Sequence, residues 1–244
     1  MSSAPAADYT ILILETLALS PIPMGISDIS HKTGINKNAI SRILGSLVES
    51  GWICQEELKY QLTLKPFRLT SNALGRIDLY DAAQPLLNRL WQETGDSCYL
   101  AVLEDNGALY LGHKDSARDL KIAGRIGGSY PLINSAPGKV LLAYSGEEYR
   151  THYLRDIKQL SEEQIRVIEE KCACIREQGW ATDIEEYGPG VICFAAPIFD
   201  MYGKVIGSIG ISTSTVYFDE KTMIADPGAK VLAAAREISR RLGA

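Results

Sequence analysis

No apolar run in the sequence approaches the roughly 20 residues that a bilayer-spanning helix requires. The one that begins at Ile11-Leu-Ile-Leu14 is interrupted by Glu15 and ends at Leu19. The opening Met-Ser-Ser-Ala-Pro-Ala-Ala has neither the basic start nor the apolar stretch of a signal peptide, so a cytosolic protein with no membrane partner is expected. Cysteine is scarce. Cys54, Cys98, Cys172, Cys174 and Cys193 are odd in number and scattered, which predicts free thiols rather than a disulfide framework. There is no Cys-x-x-Cys or His-x-x-x-His, and His31, His113 and His152 stand alone. Cys172 and Cys174, two apart in a predicted helix, cannot both face one ion, so neither a structural metal nor a cofactor is expected. Repeats and low-complexity tracts are also missing.

What is present suits a two-domain globular protein. The chain has 244 residues, 46% apolar and 23% charged. That length fits one domain of under about 100 residues and one of about 150–170. We expect the boundary to divide segment 1–75 from segment 76–244. The net charge of −5 lacks the basic excess of a nucleic-acid binder, but its distribution matters more than its sum. Residues 1–75 balance six basic against six acidic side chains, so the excess acid lies in the rest of the chain.

In the first segment, Tyr9–Leu19 is apolar on nearly every side and reads as a helix buried by both neighbours, ended by Pro21-Ile-Pro23. A second helix begins at Ile26-Ser27-Asp28, with Ser27 as N-cap, and stops at Thr33-Gly34. Asn36 caps a third, running from Lys37 to about Ser50. There Ile40, Ile43, Leu44 and Leu47 repeat at helical spacing and must face inward. Gly51 stops it. Trp52–Cys54 and Lys59–Thr63 read as a β-hairpin around Glu56-Glu57. Two short helices joined by a glycine-bearing turn and followed by a hairpin make a winged helix-turn-helix. The alternative is a three-helix bundle without a DNA role.

Residues Ala73–Glu93 read as a linking helix that Pro85 kinks or divides. Strands follow at Ser97–Glu104 and Ala108–His113, joined at Asp105-Asn106-Gly107. Helices are predicted at Ser135–Ala143, Glu147–Arg155 and Glu162–Gln178, and strands at Trp180–Ile184, Ile192–Phe199 and Val205–Thr213. A terminal helix has Asp226 as N-cap and Pro227 in its first turn. Hairpin-joined strands with helices gathered between them give an α+β domain with a mainly antiparallel sheet.

Several segments, in this order, resemble the IclR family of bacterial regulators over essentially the whole chain. They are Ile29-Ser-His-Lys-Thr-Gly-Ile35, Ile40-Ser-Arg-Ile-Leu44 and Leu47-Val-Glu-Ser-Gly51 in the first part. In the second they are Gly127-Gly-Ser-Tyr-Pro-Leu132, Asn134-Ser-Ala-Pro-Gly-Lys139, Gly179-Trp-Ala-Thr-Asp-Ile-Glu-Glu186, Gly190-Val-Ile-Cys-Phe-Ala-Ala-Pro-Ile198 and Gly207-Ser-Ile-Gly-Ile-Ser212. The chain departs from the usual family pattern at Ile133, Ala39 and Asn36. The resemblance implies a GAF-like α/β effector domain behind the winged helix. It also implies a homodimer, often paired into a dimer of dimers, and repression as the default sign of regulation. RNA polymerase is a further candidate partner.

Two sites follow. On the third helix Lys37, Asn38, Ser41 and Arg42 share an outer surface. Arg and Asn can make bidentate bonds to guanine and adenine, and Lys37 at the helix N-terminus suits a phosphate. The expected partner is double-stranded operator DNA, with Lys59 as a further phosphate contact. One such unit touches too little DNA for specificity, so a dimer reading two half-sites is expected. Ser135-Ala136-Pro137-Gly138 opens a helix whose amides form an anion site, although Pro137 supplies none. By resemblance Asp183, Cys193 and Ser212 point into the same pocket, with Gly210 where some relatives carry a second Ser. This set suits a small organic acid bearing hydroxyls, such as a sugar acid, with aromatic acids as the alternative. An enzyme built on Cys193 is not expected. No histidine stands near it in the motif, and Gly124-Arg-Ile-Gly-Gly128 is too irregular for a dinucleotide loop. The remaining rival is a signal-binding module that acts only through protein partners.

Overall fold

Helix α1 (Pro5–Ala18) begins the part of the chain that the computed structural model describes, residues 5–67, 78–120 and 122–244. Two compact units are formed, Met1–Arg76 and Ile77–Ala244.

In the first unit α1 precedes β1 (Met24–Gly25), α2 (Ile26–Thr33), α3 (Lys37–Glu49), β2 (Ile53–Glu56) and β3 (Lys59–Leu62). Gly34 takes φ 73 to end α2, and the Asn36 carboxamide oxygen accepts from the Ala39 amide at 2.9 Å to start α3. Of the stripe on α3, Ile40, Leu44 and Leu47 are buried with Ile13 of α1, Ile29 of α2 and Ile53 of β2, while Ile43 is half-buried against them. Two expectations need correction. The N-cap of α2 is Gly25, whose amide donates to Asp28 Oδ2 at 3.1 Å, while Ser27 instead accepts from Lys37 Nζ at 3.0 Å. Helix α1 is not covered on both sides by the described residues of its own unit. It buries Ile13 and Leu17 but leaves Tyr9, Ile11 and Leu12 exposed, because α2, α3 and β3 leave part of its surface uncovered. Strand β1 adds an unforeseen third strand to the wing, in the order β1-β3-β2.

The second unit is built on a six-stranded sheet, β4 (Ser97–Glu104), β5 (Gly107–Lys114), β6 (Ser129–Pro131), β7 (Ala181–Ile184), β8 (Val191–Phe199) and β9 (Val205–Ser214). The order is β6-β5-β4-β9-β8-β7 and every pairing is antiparallel. Asp105, at φ 47, turns β4 into β5 with Glu104 opposite Gly107. Helix α4 (Asp78–Thr94) and the terminal α9 (Ala229–Arg241) pack on one face of the sheet. On the other lie α5 (Ala136–Ala143) and α7 (Glu162–Gln178), which share a core with Tyr99, Cys193 and Ala195. Helix α6 (Glu147–His152) continues as a π-helical stretch, Tyr153–Ile157. Helix α7 starts with a reciprocal cap: Ser161 Oγ accepts from the Gln164 amide and Gln164 Oε1 from the Ser161 amide.

Pro85 neither breaks nor divides α4, which runs from Asp78 to Thr94 in one piece; residues 73–77 of the predicted linker lie outside the described residues. The terminal helix starts earlier than predicted. Asp219, not Asp226, caps α8 (Glu220–Met223), and Pro227 lies inside a π-helical stretch, Ile224–Gly228, that runs on into α9. The looser i→i+5 pattern absorbs the amide that proline lacks.

Candidate DNA-reading helix and effector recess

Lys37, Asn38, Ser41 and Arg42 are all exposed on α3, turned away from the buried stripe. The Ala39 amide is taken by the Asn36 cap and the Ile40 amide by the Asn36 carbonyl. The backbone of Lys37 and Asn38 therefore supplies the two amides that could meet a phosphate. Lys37 is held by its bond to Ser27 of α2, which fixes its ammonium beside that helix end. Arg42 and Ser46 border a groove between α3 and Tyr9 and Thr10 of α1. Gly45 also belongs to the outer surface, and nothing lies within 4 Å of where its Cβ would be. Lys59, exposed on the wing, is the register partner of Glu56. That opposite charge offsets its pull on a phosphate.

The second unit holds a recess on the α5 side of the sheet. Antiparallel register sets its floor: Asp183 pairs with Cys193 across β7 and β8, and Cys193 with Ser212 across β8 and β9. Residues in direct register share a face, so three side chains from three strands form one row. Cys193 Sγ and Ser212 Oγ lie 2.9 Å apart in a hydrogen bond. Asp183 is fully buried. Its Oδ1 accepts from the amides of Glu186 (2.9 Å) and Tyr187 (3.2 Å), and its Oδ2 has no partner. Burial holds this carboxyl above the usual carboxylate range, opposed by those two amides and by Lys139. Lys139 itself, on α5, is directed elsewhere. It donates to the Thr182 carbonyl at 2.9 Å and pairs with Glu186.

Aromatic side chains make the wall. Tyr99 stacks on Tyr110 at 4.8 Å between ring centroids, and Tyr110 on Tyr130 at 4.1 Å. His113, Gly124, Tyr187 and Val191 complete it with Ser135 and Pro137. The side chains close around ≈ 30 Å³, room for one or two waters, so a larger ligand must displace part of the wall.

Of the residues assigned to an effector from the sequence, Ser135, Pro137, Asp183, Cys193 and Ser212 line this recess together. Ala136, Gly138 and Gly210 do not. The Ser135 hydroxyl accepts from the Gly138 amide and donates to the Pro131 carbonyl, and the Lys139 amide bonds the Ser135 carbonyl. With Pro137 offering no amide, the start of α5 leaves only the Ala136 N–H for an anion. A Cβ on Gly138 would stand 2.2 Å from the Pro131 carbonyl oxygen, so this glycine serves the close seating of α5. Gly210 is covered by Tyr99. Sequence reasoning missed the wall residues Tyr99, Tyr110, Tyr130 and His113. The signal was there as tyrosines in neighbouring strands, but strand pairing decides that they meet.

Cys193 is not a nucleophile. Burial and the neighbouring Asp183 push its thiol up to about 12, against the opposing pull of Ser212 and Lys139, so it stays protonated.

The model for the IclR helix-turn-helix domain matches residues 6–57, and that for the bacterial transcriptional regulator IclR C-terminal domain matches residues 71–240. The HTH-type transcriptional regulator KdgR of Escherichia coli (strain K12) is 33% identical over 232 residues, covering 90% of this chain and 86% of that protein. KdgR of Dickeya chrysanthemi is likewise 33% identical, over 227 residues covering 90% and 74%. Among solved structures, Thermotoga maritima IclR superposes with a TM-score of 0.78 at 24% identity, covering 99% of this chain and 100% of that one. An IclR homologue from Microbacterium hydrocarbonoxydans, crystallised with 4-hydroxybenzoate, gives 0.82 at 23% identity, covering 97% and 98%. The exposed α3 surface, the recess and these matches over both units agree: the chain belongs to the IclR family of bacterial transcriptional regulators, with a helix-turn-helix domain and a ligand-binding C-terminal domain, and is not an enzyme.

Proposed function

We propose that this protein is a cytoplasmic homodimeric repressor of a catabolic operon, released from its operator by a small hydroxylated carboxylic acid bound in the recess. The observation that carries the ligand class is the Oδ2 of Asp183, buried and without a partner at the recess floor. A buried polar atom left unpaired costs about 1–3 kcal/mol, and a ligand hydroxyl recovers that loss. Ser212 adds a hydroxyl that can donate or accept. The stacked tyrosine wall suits a flat ring as well as a sugar face, and the 4-hydroxybenzoate held by the Microbacterium homologue makes that compound a reasonable first probe. On α3, Lys37 takes a phosphate while Asn38, Ser41 and Arg42 take bases or nearby phosphates. Two copies are needed because one half-site gives too few contacts.

Fluorescence anisotropy tests this reading. Full-length protein is titrated onto labelled DNA from upstream of its own and flanking genes, with and without 4-hydroxybenzoate, gluconate and glycerate. Tight binding to one fragment, weakened by one of the acids, supports it. No binding to any fragment in moderate salt points instead to a module that signals through protein partners.

A further inference from the structure

Two atoms account for the buried side-chain polar groups of the recess that lack a partner among the described residues: Asp183 Oδ2 and His113 Nδ1. The other polar groups on its floor are engaged. Tyr99 donates to the Phe194 carbonyl, Ser135 is tied to Pro131 and Gly138, and Cys193 is bonded to Ser212. The imidazole of His113 is fixed on several sides. Its Nε2 lies 3.1 Å from Asp115 Oδ1, and Tyr110 stacks on it at 6.1 Å and 17°. Bare backbone at Gly124 lies against it, where a Cβ would stand 2.5 Å from Cε1 and 2.8 Å from Nδ1. A ring so held, with one nitrogen engaged by a carboxylate and the other without a partner among the described residues, has one nitrogen left for a ligand.

Charge decides what that is. An acid entering the recess meets Asp183, which repels a carboxylate and accepts from a hydroxyl. Among the described side chains that line the recess none is Lys or Arg, and the start of α5 offers a single amide. His113 is the lining group that can carry positive charge, and its far nitrogen faces the Asp115 carboxylate at 3.1 Å. Resting on the effector-site reading above, we propose that His113 holds the carboxylate of the effector through Nδ1–H while Asp183 receives its hydroxyl. The effector is then a two-ended molecule, with an acid group and a hydroxyl at opposite ends of one small frame. His113 selects the anion over neutral analogues.

Calorimetry on the full-length protein tests this with 4-hydroxybenzoate and gluconate, each against its primary amide, which keeps shape and loses charge. In the wild type the acid that binds should outcompete its amide by at least about tenfold, as expected for a charge-assisted hydrogen bond. His113→Gln keeps a hydrogen-bonding group without the charge. It should weaken that acid by at least about tenfold and leave the amide within about twofold of wild type, abolishing the preference. Asp115→Asn, which leaves the ring in place, should lower the acid and spare the amide to a smaller extent. An unchanged thermal midpoint and unchanged operator affinity without acid establish that both variants fold. Wild-type affinity for the acid in His113→Gln, or an equal loss of acid and amide, would overturn the assignment. If neither acid nor amide binds the wild type, the effector reading itself fails, an outcome separate from the failure of His113.

Discussion

Tyr99 fills the space that a side chain at Gly210 would take. The two are register partners across β4 and β9, and a Cβ at Gly210 would stand 2.4 Å from the Tyr99 hydroxyl and 2.3 Å from the Phe194 carbonyl oxygen to which that hydroxyl donates. The glycine therefore lets a fully buried tyrosine lie flat on the sheet and form the recess wall. Gly210→Ser must push the ring away or bend β9. Overpacking of this kind costs roughly 1–3 kcal/mol, and we expect a urea midpoint lowered accordingly. A variant as stable as wild type would mean that Tyr99 has another place to go.

Asp183 is the second test. Its Oδ1 holds the amides of Glu186 and Tyr187, so Asp183→Ala would disturb the β7–β8 turn as well as the recess. Asp183→Asn is cleaner, because one carboxamide oxygen still accepts from both amides. The carboxyl is raised in the folded state, chiefly by burial. The folded protein then binds this proton more tightly than the unfolded chain, so the stability linked to it is present at low pH and is lost as pH rises through the folded-state value. Without acid, Asp183→Asn should be at least as stable as wild type at neutral pH, with the advantage disappearing on acidification. Thermal unfolding between pH 4 and 8 measures it, and an advantage that grows toward low pH would reverse the assigned direction.

Gly45 marks another site where stability and function should part. It lies inside α3 on the exposed side, with open space around its missing Cβ. A helix-interior glycine costs roughly 0.5–1 kcal/mol relative to alanine. We expect Gly45→Ala to stabilise the protein by about that amount and to weaken operator binding, because the bare backbone is where α3 can approach DNA most closely. Equal operator affinity would leave Gly45 without a role in DNA contact.

Much of the fold could be read from local pattern. The α3 stripe Ile40, Leu44, Leu47, the Asn36 cap and the Gly34 stop each act within a few residues, and periodicity registers such effects. Strand β1, two residues long, and β6, three residues ending in Pro131, are too short to show alternation. Pro85 does not divide α4 because a helix that packs along its length on a sheet tolerates one lost amide bond. The recess was legible only where the family pattern named it. That Asp183, Cys193 and Ser212 form one row depends on the register of three strands, and the meeting of Tyr99, Tyr110, Tyr130 and His113 depends on the pairing of three more. Neither is a property of any short window of sequence.

Arg42 is the most informative side chain on the proposed DNA-reading face of α3. It is exposed and off the buried stripe, so Arg42→Ala should leave folding nearly unchanged. Loss of a specific base contact costs about 1–3 kcal/mol of operator binding. A phosphate contact would instead weaken all sequences alike and lower the salt dependence. Anisotropy at fixed salt on the operator and on one altered at the half-site guanines separates the two.

The regulatory role is most directly tested by reciprocal coupling between the two ligands. An acid that controls DNA binding must change operator affinity, and saturating operator must then change acid affinity by the same factor. We expect a factor of roughly 5–150, corresponding to about 1–3 kcal/mol of coupling, with acid and operator opposing one another. Calorimetry of the acid with and without saturating operator, set beside anisotropy of the operator with and without saturating acid, measures both arms on one protein sample. Equal and opposing shifts establish an effector-controlled repressor. An acid that binds the recess while leaving operator affinity unchanged would contradict it.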